Sequence, residues 1–416
     1  MPNTDTFTNR IKNRVINAFI KIVPDDKIRV EAAVRSDDAL SGKITVGAVN
    51  MQVQNFTKWK NAIIAASDTE NPDYSQLTEN YASLMYDCHL MACIETRILK
   101  VQRSKFKVVD SNGKIDEELT TLLKSGWFDD FIYESMLSKF TGTRLLELYH
   151  LNDQLELERC TSIPKNNFKP KLGIIVKESG DTTGWSYRNG IFERNYIQVG
   201  DNDDLGILKD LGPIVIAKKM AIAAWLDYID KLSIPPRWVT TDTSDKKRVR
   251  ELETMMSSMI SCHWAVLQGN EKIEYAQVNA AAAKDLFDTL IDRDNSEMSK
   301  RILGATGTMD EKSFVGAALV HQQMALERHE SDKVSLAYLI NNELFKRLPL
   351  ISSVYNTEGK TFMWDDSYEM SPETYIDKVV ALSAYYDIDT DDITKRTGII
   401  INGLKTDANT DAPKKQ

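Results

Sequence analysis

Three aspartates, Asp285, Asp288 and Asp292, fall three and four residues apart in a segment of helical periodicity, which sets them on one helix face. Carboxylates so spaced can hold a divalent metal for phosphate chemistry, as in nucleases. The same spacing also describes a solvated acidic stripe, and the stripe is the reading carried forward; Asp294 lies just beyond it. The four cysteines have no zinc spacing. Cys88 and Cys93 are five apart on a helix and so do not share a face, which predicts buried or free thiols. His321 and His329 share a face without a carboxylate or cysteine to complete a site. No serine sits in a glycine elbow, no His-Glu-x-x-His occurs, and GILKDLGP lacks the lysine and hydroxyl of a phosphate cradle. The expectation is a chain with no catalytic site, no metal and no cofactor.

The cationic and aromatic positions are more suggestive. Lys246, Lys247, Arg248 and Arg250 open a segment that Thr243, Ser244 and Asp245 are placed to cap. Cations at a helix N-terminus oppose its dipole, so helix stability does not explain them. A contact surface for an acidic partner or DNA and a plain solvated face both remain open. Arg237, Trp238 and Trp264, on flanking strand-like runs, are residue types that anchor interfaces. Lys300 and Arg301 precede the glycine-bearing run GATGTMDEKSF. Within it Gly304 and Gly307, with the small Ala305, Thr306 and Thr308, suit an exposed loop, and Met309, Asp310, Glu311 and Lys312 follow. An ordinary helix–helix connection would have the same composition.

Helical periodicity is expected over Phe56–Ala66, over one long helix from Ser75 to Phe106, and over Glu117–Leu123 and Trp127–Phe140. Phe106–Val109 reads as a strand closed by Asn112-Gly113. A hairpin is expected from Arg144–His150 and Leu155–Arg159 around Asn152-Asp153. Strand-like runs follow at Leu172–Lys177, Gly184–Tyr187 and Asn195–Gln198. From Pro213 the character changes. Pro213–Lys231 is a mostly apolar helix with proline at its start. Next come a strand at Arg237–Thr241, a helix at Lys246–Ser261, and a hairpin of Trp264–Leu267 with Lys272–Val278 around Gly269-Asn270. Helices are expected at Ala280–Leu303 and from Val315 to Arg347, the latter closed by Leu348-Pro349. A strand at Thr361–Trp364 and helices from Pro372 to Tyr386 and at Thr390–Thr397 end the ordered reading. Between Asp365 and Asp392 nine acids face one lysine.

The whole is an α+β chain of 416 residues, long enough for about two or three modules. A net charge of −9 argues against a protein that grips nucleic acid by neutralising phosphates, though not against a surface that DNA slides past. No run of eighteen apolar residues occurs, so no membrane span is expected. The N-terminal Ile11, Val15, Ala18, Phe19 and Ile22 fit an amphipathic, partner-contacting helix better than a signal peptide.

Four stretches carry a resemblance. They are SLMYDCHLMACIETRILKVQRSKFKVV, AAWLDYIDKLSIPPRWV, WAVLQGNEKIEYAQV and NSEMSKRILGATGTMDEKSFVGAALVHQQM. In their order and spacing, over about residues 77–345, the chain resembles the portal proteins of tailed bacteriophages, nearest the Mu-type branch. It departs at Ala305, where that branch has glutamine, and in a shortened glycine-rich run.

The resemblance implies a portal fold assembled as a ring, usually of twelve copies, at one capsid vertex, through which double-stranded DNA is packaged and ejected. It divides the chain into an N-terminal arm and wing (1–212), a first stem helix (213–231), a clip (232–278) and a second stem helix (279–303). The channel loop and long helix would be 304–349, and 350–416 a wing strand, a small helical crown and a disordered tail. The clip residues Arg237, Trp238, Lys246, Lys247, Arg248, Arg250 and Trp264 would meet the large terminase subunit and later the head-tail adaptor. Lys300, Arg301 and Lys312, repeated around a ring, would form a weak basic belt facing DNA without sequence preference. Implied partners also include the major capsid and scaffold proteins, and the implied location is the virion, after assembly in the host cytoplasm. The alternatives kept are a metal-dependent nuclease using the aspartate face, and another head or tail structural protein.

Overall fold

The computed structural model describes residues 55–68, 72–232, 237–258, 267, 269–275, 280–304, 315–365, 372–383, 388, 390–397 and 399. The first helix, α1 (Phe56–Ala66), starts at Asn55, whose side chain accepts from the Lys58 amide at 2.8 Å. The expected single helix after residue 75 is two: α2 (Ser75–Leu84) and α3 (Cys88–Gln102). Asp87 makes the break. Its backbone is extended and its carboxylate caps the Leu90 amide at 2.9 Å, so the apolar period restarts on a new axis. Strand β1 (Phe106–Val109) leads to α4 (Glu117–Leu123), where Asp116 caps the Leu119 amide and Glu117 and Glu118 favour the dipole. Helix α5 (Gly126–Thr141) follows, with Trp127, Phe128, Phe131, Ile132, Met136 and Phe140 buried.

After α5, strand β2 (Arg144–Glu147) is central, hydrogen-bonded to β3 (Thr161–Ile163) on one side and β7 (Tyr196–Val199) on the other, both antiparallel. The expected hairpin is therefore longer than its sequence reading. Asn152 does turn the chain, but the strand partner of β2 begins at Thr161, and Leu155–Arg159 contributes a single bridge, Leu151 to Leu157. Leu155 lies at φ 64°, which ends ladder geometry there. The short strands β4 (Phe168–Lys169), β5 (Ile174–Ile175) and β6 (Trp185–Ser186) make a second antiparallel sheet. Gly142 and Gly206 let two backbones cross. A Cβ at Gly142 would lie 2.2 Å from the Asp204 carbonyl oxygen, and one at Gly206 2.2 Å from that of Phe140, while both glycines have positive φ.

Helix α6 begins at Leu208 and runs to Leu232, five residues before the expected start. Leu208, Leu211, Val215 and Ile216 are buried, and that burial draws residues ahead of Pro213 into the helix. Strand β8 (Arg237–Thr240), helix α7 (Lys246–Ser258) and strand β9 (Lys272–Tyr275) then form a separate small unit. Here β9 pairs antiparallel with β8, with Trp238 opposite Glu274. The Gly269-Asn270 turn is present, but the expected partner run, 264–267, lies outside the described residues apart from Leu267.

Helix α8 (Ala280–Leu303) matches its expected bounds. The long last helix differs. Helix α9 (Val315–Leu339) passes through a π-turn at Ile340–Leu344 into α10 (Phe345–Ile351), and Pro349 lies inside α10 rather than stopping it. A proline at 349 leaves the Phe345 carbonyl without its helical donor, and the Thr357 hydroxyl supplies one at 2.5 Å. The π-turn aims Asn341 at strand β10 (Thr361–Trp364), where its side chain donates to the Phe362 carbonyl and accepts from the Phe362 amide at 2.7 Å. On its other side β10 pairs with β1. Helices α11 (Pro372–Ser383) and α12 (Thr390–Thr397) complete the described chain.

One continuous core joins α1–α5, β1, β2, β7, the start of α6, the end of α8, the end of α9, the π-turn, α10 and β10. The chain thus leaves this body along α6 and re-enters it along α8. Leu208–Ile216 and Met298–Leu303 carry most of the buried apolar residues of these helices, with Ala221 beyond them, whereas Leu226, Ile229, Leu286 and Leu290 are exposed. The consequence is a two-helix arm with apolar sides.

Candidate functional site

Helices α6 and α8 run together along the arm. The Phe287 ring stacks on Trp225 at 6.2 Å with planes 13° apart and is tilted against Tyr228 at 6.2 Å. Neither helix can hide its other apolar side. Met220, Ala221 and Ala224 on α6, with Leu286 and Leu290 on α8, line an open apolar concavity. Asp285 and Asp292 are exposed and Asp288 is half-buried. No group of three His, Cys, Asp or Glu side chains among the described residues is placed to hold a metal ion. Asp294 points the other way and is buried where the arm meets the body. Burial raises its pKa, against the pull of Lys218 and Arg293.

The distal unit answers the question posed by its N-terminal cations. Arg248 forks onto Glu271, Nε to Oε1 at 2.9 Å and Nη2 to Oε2 at 2.7 Å, and also reaches Glu251 at 3.1 Å. These hydrogen bonds, Glu271 first, raise the Arg248 pKa further. Asp245 accepts from the Lys247 amide at 2.9 Å, so acids offset the unfavourable charge–dipole arrangement. Arg248 therefore fastens α7 to the turn before β9, while Lys246, Lys247 and Arg250 project from exposed positions. Trp238 is also exposed, and its indole N–H donates to Glu274 at 2.8 Å. Leu252 is the buried apolar residue of α7. Arg237 sits in β8 opposite Tyr275, and Trp264 lies outside the described residues.

At the body end of the arm, Lys300 pairs with Glu297 at 2.9 Å and Arg301 with Asp210 of α6 at 2.6 Å. Both cations are about half exposed, and each already has a carboxylate. Gly304 ends α8 at φ +85°, with the Arg328 side chain packed where a Cβ would stand. Ala305, Thr306, Gly307, Thr308, Met309, Asp310, Glu311 and Lys312 lie outside the described residues. His321 is placed in α9 without a described side chain, and His329 is buried with Nε2 3.2 Å from the Ser104 hydroxyl. Cys88 is exposed, Cys93 and Cys160 are buried, and none of the three is in a disulfide; burial pushes the Cys160 pKa up.

Sequence reasoning passed over the cluster that fixes the base of the arm. Arg97 of α3 donates to both oxygens of Asp332 on α9, Nε at 2.7 Å and Nη2 at 2.9 Å, and Nη1 donates to the Ile302 carbonyl at 2.8 Å. Lys139 of α5 reaches the same carboxylate at 2.7 Å, and Arg328 donates to the Arg301 carbonyl at 2.6 Å. Two guanidinium groups thus take up the last carbonyls of α8, which have no intrahelical donor. The signal was present: Arg97 falls at i+3 and i+4 from Ile94 and Cys93, on the buried face of α3.

The family described as portal protein of Mu bacteriophage matches residues 78–399. The chain belongs to that family. It is a tailed-phage portal protein of the Mu-type branch, and the arm, the distal unit and the segment between α8 and α9 all lie inside the matched span. No curated protein matches the chain. Among solved structures, a chain from the neck of a native gene transfer agent particle computed with C12 symmetry is 12% identical with a TM-score of 0.50. That alignment covers 83% of this chain and 99% of the other. A chain from the neck of the empty particle, computed with C6 symmetry, is 10% identical with a TM-score of 0.50 over 77% of this chain and 94% of that one. These two share the fold. An HK97-family phage portal protein from Corynebacterium diphtheriae is 8% identical with a TM-score of 0.36, over 78% of this chain and 99% of that one. Portal proteins are structural components, so the metal-dependent nuclease reading is not favoured.

Proposed function

We propose that this portal protein assembles through its two-helix arm into a ring, with the twelvefold symmetry stated for the similar neck chain as its copy number. The arm itself carries the proposal. Leu226, Ile229, Leu286 and Leu290 are exposed on α6 and α8, and the two helices already spend Trp225, Tyr228 and Phe287 on each other. A two-helix arm cannot cover four sides, and apolar surface of this extent marks an interface. Neighbouring copies of the same arm are the partners that a closed ring supplies.

In this reading α6 and α8 are the stem, and β8, α7 and β9 the clip that docks the terminase motor and later the head-tail adaptor. The body is the wing, α11 and α12 the crown, and 304–314 the channel loop. DNA would slide past without being gripped, consistent with the carboxylates already paired to Lys300 and Arg301. The ring would sit at the portal vertex of the virion, against capsid and scaffold proteins.

The test is assembly. The double substitution Leu226→Asp and Leu286→Asp should leave the thermal transition of the free subunit unchanged, because both side chains are exposed. It should abolish rings in mass photometry and negative-stain images. Rings that form as well as those of the natural chain would remove the arm from the interface.

A further inference from the structure

Away from the arm, the body contains a cavity of about 230 Å³ between α2, the end of α5 and the segment from β3 to β4. Its walls are mainly apolar, with Leu77, Met85, Ile163 and Phe168 among them, and two cationic residues, Arg144 and Lys165, also line it. A cavity of about 150 Å³ with apolar walls is large enough for benzene. This one has room for a ring and a short polar group.

The two cations differ in how they are satisfied. Arg144 is paired with Glu134 and donates to Ser162 at 2.8 Å, but its Nε is buried without an acceptor. Lys165 donates to the Thr143 carbonyl at 2.8 Å and lies over the rings of Tyr74 at 4.7 Å and Phe168 at 5.3 Å. No carboxylate forms an ion pair with it among the described residues. The charged groups acting on it are Asp204, which favours the ammonium, and Arg144, which opposes it. Burial dominates both and brings the Lys165 pKa down to about 7. Tyr74, also buried, is pushed up to about 12 and stays neutral. One cavity wall thus carries an ammonium without a carboxylate partner among the described residues. Arg144 already has the Glu134 carboxylate, whereas Lys165 has none, and neither cation is a residue of the arm or the clip.

We infer that this cavity is a binding site for a small monocarboxylate with an aromatic or branched apolar body, its carboxylate on Lys165 and its body against Leu77, Met85, Ile163 and Phe168. The acid would restore to Lys165 the counter-charge that burial withholds, and the apolar body would fill volume the side chains leave empty. Thr143 and Arg144 begin the central sheet, and the Thr143 amide is bonded to Asp204 in the loop that launches α6. Occupancy would therefore stiffen the root of the arm.

The probe is phenylacetate, with phenylacetamide as its uncharged counterpart, titrated into the full chain by calorimetry. Phenylacetate should saturate and bind at least about tenfold more tightly than the amide, because only the acid pairs with the buried ammonium. Its affinity should fall about tenfold per pH unit above 7, as Lys165 loses its proton, and binding near pH 7 should take up protons from the buffer. Lys165→Met should abolish both the preference for the acid and the pH slope, and Ala82→Phe, which fills the cavity from its wall, should abolish binding. Equal affinity for acid and amide, a flat pH profile in the natural chain, or no saturation at concentrations on the order of tens of millimolar would each overturn the assignment. None of these readouts depends on ring assembly, so the site can fail while the portal reading stands, or the reverse.

Discussion

Replacing Asp332 by alanine should cost the subunit about 3 kcal/mol, at the low end of what breaking a buried ion pair costs. The carboxylate is 1% exposed and receives three charge-assisted hydrogen bonds, two from Arg97 and one from Lys139. Removing it strands two cations of unequal accessibility: Lys139 is 29% exposed and can turn to water, whereas Arg97 is 13% exposed and still tied to the Ile302 carbonyl. That asymmetry is why the low end applies. Burial alone would raise the Asp332 pKa, but Arg97 and then Lys139 outweigh it and hold the carboxyl below its usual range. A lowered folded-state pKa means that the contribution is present above the unfolded value, near 4, and lost as pH falls through the folded one. The alanine variant should therefore differ from the natural chain at neutral pH and converge with it in acid. Urea unfolding followed by tryptophan emission, repeated from pH 7 to about pH 3, measures both effects. The thermal midpoint should drop by about 3–5 °C. Arg97→Lys should not substitute, because an ammonium cannot span both carboxylate oxygens and the carbonyl. A cost below about 1 kcal/mol, or additive effects in an Arg97→Ala and Asp332→Ala double-mutant cycle, would refute the idea that this cluster anchors the arm.

Other consequences can be checked one at a time. Asn341→Leu removes both hydrogen bonds to Phe362, and should cost about 1–3 kcal/mol and accelerate amide exchange at residues 361–364 while leaving the arm unaffected. Glu271→Gln weakens the hold on Arg248, so exchange should rise across Lys246–Ser258 with little change in the melting of the body; unchanged exchange would show that the pair does not fasten α7. Phe287→Ala removes the ring between Trp225 and Tyr228 and should loosen the arm by about 0.5–1.5 kcal/mol beyond the lost area, seen as increased exchange in both helices rather than in one.

Local chemistry made much of this architecture legible. Phe56–Ala66, Glu117–Leu123, Ala280–Leu303 and Thr361–Trp364 occupy the spans their periodicity and caps predict. In the first two the capping side chains, Asn55 and Asp116, are near neighbours in sequence. The misjudged places have remote causes. Pro349 looks like a stop, and it is tolerated only because Thr357 serves the Phe345 carbonyl from outside the helix. Pro213 looks like a helix start, yet the helix begins earlier because Leu208 and Leu211 find the core. The hairpin at Asn152 was right about its turn and wrong about its strand, since β2 is shared between Thr161–Ile163 and the distant Tyr196–Val199.

The order of elements from Pro213 to Pro349, and with it the family, was legible in the sequence alone, because apolar period, glycine and proline placement are local properties of a chain. Which charges were free was not. Arg248, Lys300 and Arg301 read as available cations, and each meets a carboxylate in the fold; of the four pairs they make, two lie within one helix and two run across space. Arg97 and Asp332, 235 residues apart, read as unrelated, and they meet on one carboxylate that anchors the second arm helix. Within a helix a spacing of three or four brings charges together, but between elements sequence separation carries no information about distance, and only packing decides it.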